Sequence, residues 1–224
     1  YRRQRQMCIR DRVTSFYVMA DTYFVGKIDT QSTAAVGLSF SVMAIIQAFG
    51  FFFGHGSGNY ISRKLGAQDY ASAEIMASTG FFYAFIAGTL TTCLGLLFLT
   101  PICRFLGSTP TILPYAETYL GIILLGAPFM ASSLVLNNQM RFQGNAVYSM
   151  VGIIVGAVLN IALDPLLIFT FEMGVAGAAW STLISQICSF CVLMAMDSRG
   201  TNIRIRFKNF RLKAQLLKEI LFGG

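Results

Sequence analysis

Two carboxylates fall inside long apolar stretches of this 224-residue chain, those of Asp21 and Asp164. An acid at the middle of a membrane helix costs at least about 2.5–3.5 kcal/mol, so such residues usually face a cavity and carry function. Two carboxylates that meet in a cavity of low dielectric share a proton or bind a small cation, because desolvation and mutual repulsion oppose two charges. The pair therefore predicts a site for H⁺ or Na⁺. The alternative is that Asp164 only hydrogen-bonds within a helix bundle.

The residues around Asp164 add to this prediction. Asn160 precedes the acid by four residues, which places both on one face of a helix. Pro165 follows the acid directly and cannot donate to the helix ladder, so it leaves the carbonyl of Ile161 without its usual partner. We expect a bend beside Asp164, with a carbonyl oxygen available to a cation or to water.

The elements that must position these residues are membrane helices. Apolar residues make up 55% of the chain and charged residues 12%, with a mean hydropathy of +0.62, whereas soluble domains need about a quarter charged residues. Apolar runs occupy residues 13–28, 34–61, 75–100, 119–140, 147–171 and 175–196. Five of them reach the ~20 residues that cross a bilayer as a helix, and backbone pairing in lipid requires helices here. We predict an all-α membrane protein in which residues 13–196 form a bundle of six transmembrane helices.

The net charge of +7 is distributed unevenly among the loops. After the first twelve residues, one set of alternate loops and the C-terminal tail carry ten Lys and Arg, and the other loops carry two. The cation-rich side is expected to be cytoplasmic. This predicts a multi-pass protein of the inner (plasma) membrane with both ends of the chain in the cytoplasm. The cations then lie beside the lipid bilayer, and they do not indicate nucleic-acid binding.

This topology places several polar residues at one depth. At 1.5 Å per residue, both acids lie roughly 10 Å below the outer boundary of the membrane. Thr182 in the sixth run lies at the same depth, and Tyr119 in the fourth lies slightly nearer the boundary. The predicted site for the coupling ion therefore contains Asp21, Asp164, Asn160, Thr182 and Tyr119. If the ion is Na⁺, the metal ligands come from Asp21, Asn160, Asp164 and Thr182. Pro128 predicts a second bend, in the fourth run.

The two ends of the chain differ in composition from the bundle. Residues 1–12 (YRRQRQMCIRDR) resemble translated adapter sequence, and we set them apart as a non-native N-terminus; a genuine basic arm is the alternative. Residues 197–224 are basic, with Ile203 and Ile205 interleaved, as is typical of a segment at the anionic inner leaflet. We interpret 197–224 as a cytoplasmic linker toward a missing second lobe.

Four segments together carry a resemblance to a known family. They are ADTYFVGKI leading into AAVGLS (20–39), YISRKLGAQDYASA (60–73), LNIALDPLLIF (159–169) and GVAGAAWSTLISQ (174–186). In this order and at this spacing, the sequence resembles the multidrug and toxic-compound extrusion (MATE) family from about residue 14 to its end.

The resemblance implies a fold and a function. Members of the family have twelve transmembrane helices in two lobes, and this chain is similar to the N-terminal lobe, so its missing partner is the C-terminal lobe. The implied activity is not enzymatic. It is a cation-coupled antiport in which H⁺ or Na⁺ enters and drives cationic or amphipathic drugs out, with no cofactor besides the coupling ion. The family's cation site falls on the five residues named above, and Asn137 matches a position that lines the substrate cavity.

Three alternatives remain open. A lipid-linked saccharide flippase of the same superfamily would place cations along its cavity, whereas every Lys and Arg here lies in a loop or tail. An intramembrane aspartyl protease would also place two acids on two helices, but neither MADTY nor ALDPL matches its GxGD motif. A membrane scaffold without transport activity would tolerate neutralisation of Asp164.

Overall fold

The computed structural model describes residues 19, 23–200, 203–210 and 214–223, and all these residues lie in helices, turns or short connections, with no β-strand among them. Residues 23–26 are helical. The helices that follow are α1 (Thr30–Gly66), α2 (Tyr70–Leu97), α3 (Leu99–Phe105), α4 (Leu113–Leu125), α5 (Ala127–Phe142), α6 (Ala146–Pro165), α7 (Val175–Gly200) and α8 (Ala214–Gly223). A π-helical turn, Leu166–Thr170, continues directly from α6, and a 3₁₀ turn, Phe207–Asn209, precedes α8. The predicted all-α membrane fold is confirmed.

Aspartates begin the two longest helices. Asp29 precedes α1, and its Oδ1 accepts the backbone N–H of Ser32. Asp69 precedes α2 and accepts the N–H of Ser72 at 3.2 Å, while Lys64 Nζ donates to its other oxygen at 3.1 Å. These are N-cap interactions, which satisfy donors that a helix start leaves free. Hydrogen bonds hold the pKa of the Asp69 carboxyl below its usual range. Those from Ser72 have the largest effect, and the one from Lys64 is next.

Four helical segments of the described chain are long and apolar enough to cross a membrane: α1, α2, α6 with its π turn, and α7. Helices α4 and α5 count as a fifth span if they are taken as one, with a bend of 50° at Gly126. Pro128 lies in the first turn of α5, just after this break. The predicted first span, residues 13–28, lies largely outside the described residues. The short helix α3 was not predicted from the sequence.

The described residues form two compact units. The first contains residues 23–45, 90–127 and 154–188. It is held by interhelical contacts of small and polar groups. Thr92 Oγ1 donates to the carbonyl of Leu124 at 2.5 Å, and a Cβ built on Gly95 would lie 2.7 Å from the Leu124 side chain. Small residues let membrane helices approach closely where the hydrophobic effect gives no driving force.

The second unit contains residues 46–89, 128–153 and the described residues after 188. Its core includes a buried glutamine, Gln139, whose Nε2 donates to Ser57 Oγ at 2.9 Å and to the carbonyl of Ala77 at 3.1 Å. These bonds join α5 to α1 and α2. The apolar part of the core contains Ile61, Ala73, Met76, Ala77, Ile203 and Ile220.

Helix α8 packs directly against α1 in this second unit. A Cβ on Gly56 would clash with the backbone of Ile220, so only glycine permits the approach. Arg63 and Glu219 form a partly exposed ion pair at 3.0 Å beside this contact. The end of the described chain is therefore part of the packed structure.

Candidate functional site

Asp164 lies in the last turn of α6 and is fully buried. Neither of its carboxylate oxygens has a hydrogen-bond partner in the described structure. Buried polar atoms are satisfied in the great majority of cases, and an unpaired buried carboxylate is among the costliest exceptions. A proton or a cation would offset the cost of a buried acid in this position.

Asn160, one turn earlier on α6, is equally buried and contacts α7. Its Nδ2 donates to Ser181 Oγ at 3.2 Å and lies 3.4 Å from Thr182 Oγ1. The two hydroxyl protons are directed elsewhere: Ser181 Oγ donates to the carbonyl of Asn160 at 3.3 Å, and Thr182 Oγ1 donates to that of Ala178 at 3.0 Å. The amide nitrogen therefore faces the hydroxyls, and Oδ1 of Asn160 has no partner among the described residues.

The connection between α6 and α7 sets the spacing of this group. The π turn after Pro165 closes with the Phe171 N–H donating to the carbonyl of Leu166 at 3.1 Å, and four residues then lead into α7. A Cβ built on Gly177 would lie 2.7 Å from the carbonyl oxygen of Leu167. Gly177 is one helical turn before Ser181, so it lets the hydroxyl-bearing face of α7 approach α6. Single π turns occur often at functional sites.

The other predicted site residues are distributed as follows. Asp21 lies outside the described residues, so its meeting with Asp164 stays a prediction. Tyr119 is buried in α4, within the first unit. Asn137 is buried in the second unit, where its Nδ2 donates to the Ser149 carbonyl at 2.7 Å and joins α5 to α6.

Two serines of α7 lie at the site but were not predicted from the sequence. Ser181 makes the shortest contact to the Asn160 amide, and Ser185, one turn further along the same helix, is buried with an unpaired hydroxyl in the described structure. Their four-residue spacing in an apolar helix was a readable signal, because it places both on one face. Of the polar residues of α7, the predicted depth pointed to Thr182 alone.

The donor set consists of oxygens. No three His, Cys, Asp or Glu side chains come together within the described ranges. The group offers a carboxylate, an amide oxygen and hydroxyls, which suit a proton or a hard cation better than a soft transition metal.

Long apolar helices, a buried acid and helix contacts through small residues define a polytopic α-helical membrane protein. A family model described as MatE matches residues 7–166, and the chain therefore belongs to the MatE (MATE) family. The chain is 32% identical over 218 residues to the multidrug export protein MepA of Staphylococcus aureus, and 33% identical over 220 residues to MepA of Staphylococcus saprophyticus. These matches cover 95% and 97% of the chain but 48% and 49% of the relatives.

Solved structures give the same result. The chain superposes with a TM-score of 0.91, at 31% identity, on a MOP-superfamily transporter from Pyrococcus furiosus. That protein is described as having a binding pocket of reverse polarity, which suggests a different function for it. It superposes with a TM-score of 0.90 on an outward-facing multidrug-resistance MATE transporter and of 0.87 on an inward-facing one. These superpositions include 93–97% of this chain and 48–49% of the solved chains. It has the fold of one lobe of a two-lobe transporter, which confirms the predicted family and excludes the aspartyl protease.

Proposed function

We propose that this chain is the ion-coupling lobe of a cation-driven exporter that moves cationic or amphipathic small molecules out of the cell. The observation that carries the proposal is a buried group of three acceptor oxygens, two on Asp164 and one on Asn160, without a hydrogen-bond partner among the described residues. The full-length protein then resides in the inner membrane, with the cation-rich loops in the cytoplasm.

Three acceptors without a donor among the described residues are stabilised by positive charge. A proton on Asp164 supplies an O–H that Asn160 Oδ1, one turn away, is able to accept. A Na⁺ ion instead draws on the same oxygens, with hydroxyls of α7 completing its shell. In both cases one positive charge neutralises the acid, and its loss restores a buried, unpaired carboxylate.

Neutralisation is expected to act on the helix because of its place in the chain. Asp164 lies at the junction where α6 changes into the π turn, and the α6–α7 connection follows within a few residues. A change of charge at this junction alters the electrostatic interactions that stabilise it. The helix then favours one of two arrangements over the other. The relatives support such states, since solved MATE structures are described as outward-facing, inward-facing, bent and straight.

The direction of transport is supported by the relatives. The curated proteins that match are described as multidrug export proteins. A flippase is the second candidate, and the observed charges do not favour it: in the first unit, the described cations are Lys27 and Arg104, and both are exposed.

The test is Asp164→Asn in the protein expressed from its complete reading frame. Asparagine keeps the size of the side chain but never carries a negative charge, so the ion has nothing to neutralise. We expect ethidium efflux driven by a pH or Na⁺ gradient in membrane vesicles to be abolished, while membrane insertion stays normal.

The matched control is Glu172→Gln, which neutralises an exposed acid of the same unit. It should leave efflux unchanged. Efflux by Asp164→Asn at the wild-type rate would contradict the proposal. Comparing the two gradients in the wild-type protein identifies the coupling ion.

A further inference from the structure

A cleft of about 540 Å³ opens in the second unit between the end of α7 and the chain that follows it. Phe190, Met194 and Ala195 form one wall and lie in the last three turns of the α7 membrane span, which ends at Arg199. Arg204 and Arg206, in the chain that follows α7, also line the cleft. The cleft thus has an apolar part within the span and a basic part just beyond its end.

The basic part is held in place by its backbone. The N–H of Ile205 donates to Oδ2 of the buried Asp197 at 3.0 Å, and the N–H of Arg206 donates to the buried Ser78 Oγ at 3.1 Å. Ile203 is fully buried in the protein, while Arg204 is exposed. Exposure alternates along this segment, so it presents its arginine side chains on the outside.

The side chains of Arg204 and Arg206 form no ion pair and no hydrogen bond with a described residue. The one carboxylate that lines the cleft belongs to Asp197, and it binds the segment's backbone. The unit as a whole is cationic, with eight Lys and Arg against four Asp and Glu among its described residues. The cleft therefore attracts anions and repels the cationic compounds of the proposed transport reaction.

We propose that this cleft binds an anionic phospholipid of the cytoplasmic leaflet. The phosphate lies between Arg204 and Arg206, because guanidinium groups match phosphate oxygens in geometry and charge. An acyl chain lies along Phe190, Met194 and Ala195. Basic pockets next to membrane helices on the cytoplasmic side are suited to such headgroups. The charge complementarity and the continuation of the apolar wall into the span favour a lipid over a free anion.

Native mass spectrometry of the full-length protein tests the proposal with phosphatidylglycerol and phosphatidylcholine of identical acyl chains. We expect clear preference for phosphatidylglycerol. The double variant Arg204→Ala/Arg206→Ala should weaken its binding about thirtyfold, from about fivefold per arginine near an anionic lipid. Ala195→Trp, which fills the apolar part and leaves every charge in place, should also lower binding.

The matched control is Arg199→Ala/Lys208→Ala, which removes two cations of the same unit that do not line the cleft. It should bind phosphatidylglycerol nearly as the wild type does. An equal loss in this control would mean a general effect of surface charge and overturn the proposal.

Cys191 provides a second measurement, because it lines the cleft and is exposed, whereas the exposed Cys93 lies in the other unit. Phosphatidylglycerol should slow alkylation of Cys191 and leave that of Cys93 unchanged. Equal protection by glycerol 3-phosphate would indicate a free-anion site. A Cys191 that stays unreactive without lipid would mean that another part of the full-length protein covers the cleft. Either result would overturn the proposal.

Discussion

At the scale of single residues, the site depends on which atoms already have partners. Ser181 Oγ and Thr182 Oγ1 lie within hydrogen-bond distance of backbone carbonyls, and Ser181 Oγ accepts from the Asn160 amide. This orients the amide nitrogen toward α7, and Oδ1 of Asn160 and both oxygens of Asp164 have no partner within the described part of the chain. Three acceptors in one buried region are more informative than the acid alone, since none of them can satisfy another without a proton or an ion.

The orientation of Asn160 gives a prediction for Ser181→Ala. The substitution removes the closer acceptor of Nδ2 and a donor to the Asn160 carbonyl, so the amide is free to turn. A buried hydrogen bond contributes about 1 kcal/mol, which corresponds to roughly a fivefold change. We expect the ion concentration for half-maximal efflux to rise about fivefold, while the rate at saturating ion is retained.

Ser189→Ala is the matched control for Ser181→Ala. Ser189 is a buried serine of the same helix whose hydroxyl donates to the Gly152 carbonyl at 2.8 Å, in the second unit. It should lower stability without changing the half-maximal ion concentration. If both serine variants change that concentration equally, the Ser181 contact has no special part in ion binding.

At the scale of elements, the junction between α6 and α7 brings the residues of the site together. The sequence predicted a bend at Pro165, and the structure shows that α6 ends at that residue and gives way to a π turn, Leu166–Thr170. The close approach at Gly177 could not be deduced from the sequence. Gly177 approaches the carbonyl of Leu167, which belongs to another helical segment and is brought near only by the fold.

Gly177→Ala tests this close approach. The added methyl group must displace the backbone of Leu167, and overpacking of this kind destabilises by about 1–3 kcal/mol. We expect a lower melting temperature in detergent and impaired ion-driven efflux, because the hydroxyl face of α7 moves away from Asn160.

Gly37→Ala is the control, since a Cβ at this helical glycine of α1 meets nothing within 4 Å. It should leave stability unchanged or raise it by up to about 1 kcal/mol, because alanine favours a helix more than glycine does. A Gly177→Ala protein as stable and active as Gly37→Ala would show that the α6–α7 approach is not restrictive.

In the basic segment after α7, isoleucines and arginines alternate. The sequence pattern predicts that this segment lies at the anionic inner leaflet, and it leaves open what the isoleucines contact. In the structure, Ile203 is fully buried in the protein core, and Phe210 packs against the rings of Phe82 and Tyr83. The alternation was real, but its apolar side faces protein. A pattern alone does not say which apolar medium a residue enters.

At the scale of the whole molecule, the two units differ in net charge. The described part of the first unit contains two Lys and Arg against four Asp and Glu, whereas the second contains eight against four. This agrees with the uneven loop charges read from the sequence. Positive charge near membrane helices is retained on the cytoplasmic side.

Single-cysteine labelling tests the resulting orientation. In a variant of the full-length protein without its native cysteines, Arg104→Cys should react with a membrane-impermeant maleimide in intact cells. Lys64→Cys should react only after the cells are permeabilised. The reverse pattern would contradict the predicted topology, and equal labelling of both in intact cells would mean that one of the loops is misassigned.

The sequence by itself determined the class of protein, because segments of about twenty apolar residues with few charges are stable mainly as helices in lipid. It also determined the family and singled out Asp164, Asn160 and Thr182, because polar groups are too costly in such helices to be there by chance. Only the tertiary structure decided which of their atoms are unpaired, that Ser181 belongs to the group, and that Asn137 bonds to a helix carbonyl in the other unit. The reason is that residue type and spacing fix what a side chain can donate or accept, whereas its partners come from other helices and depend on how closely those helices pack.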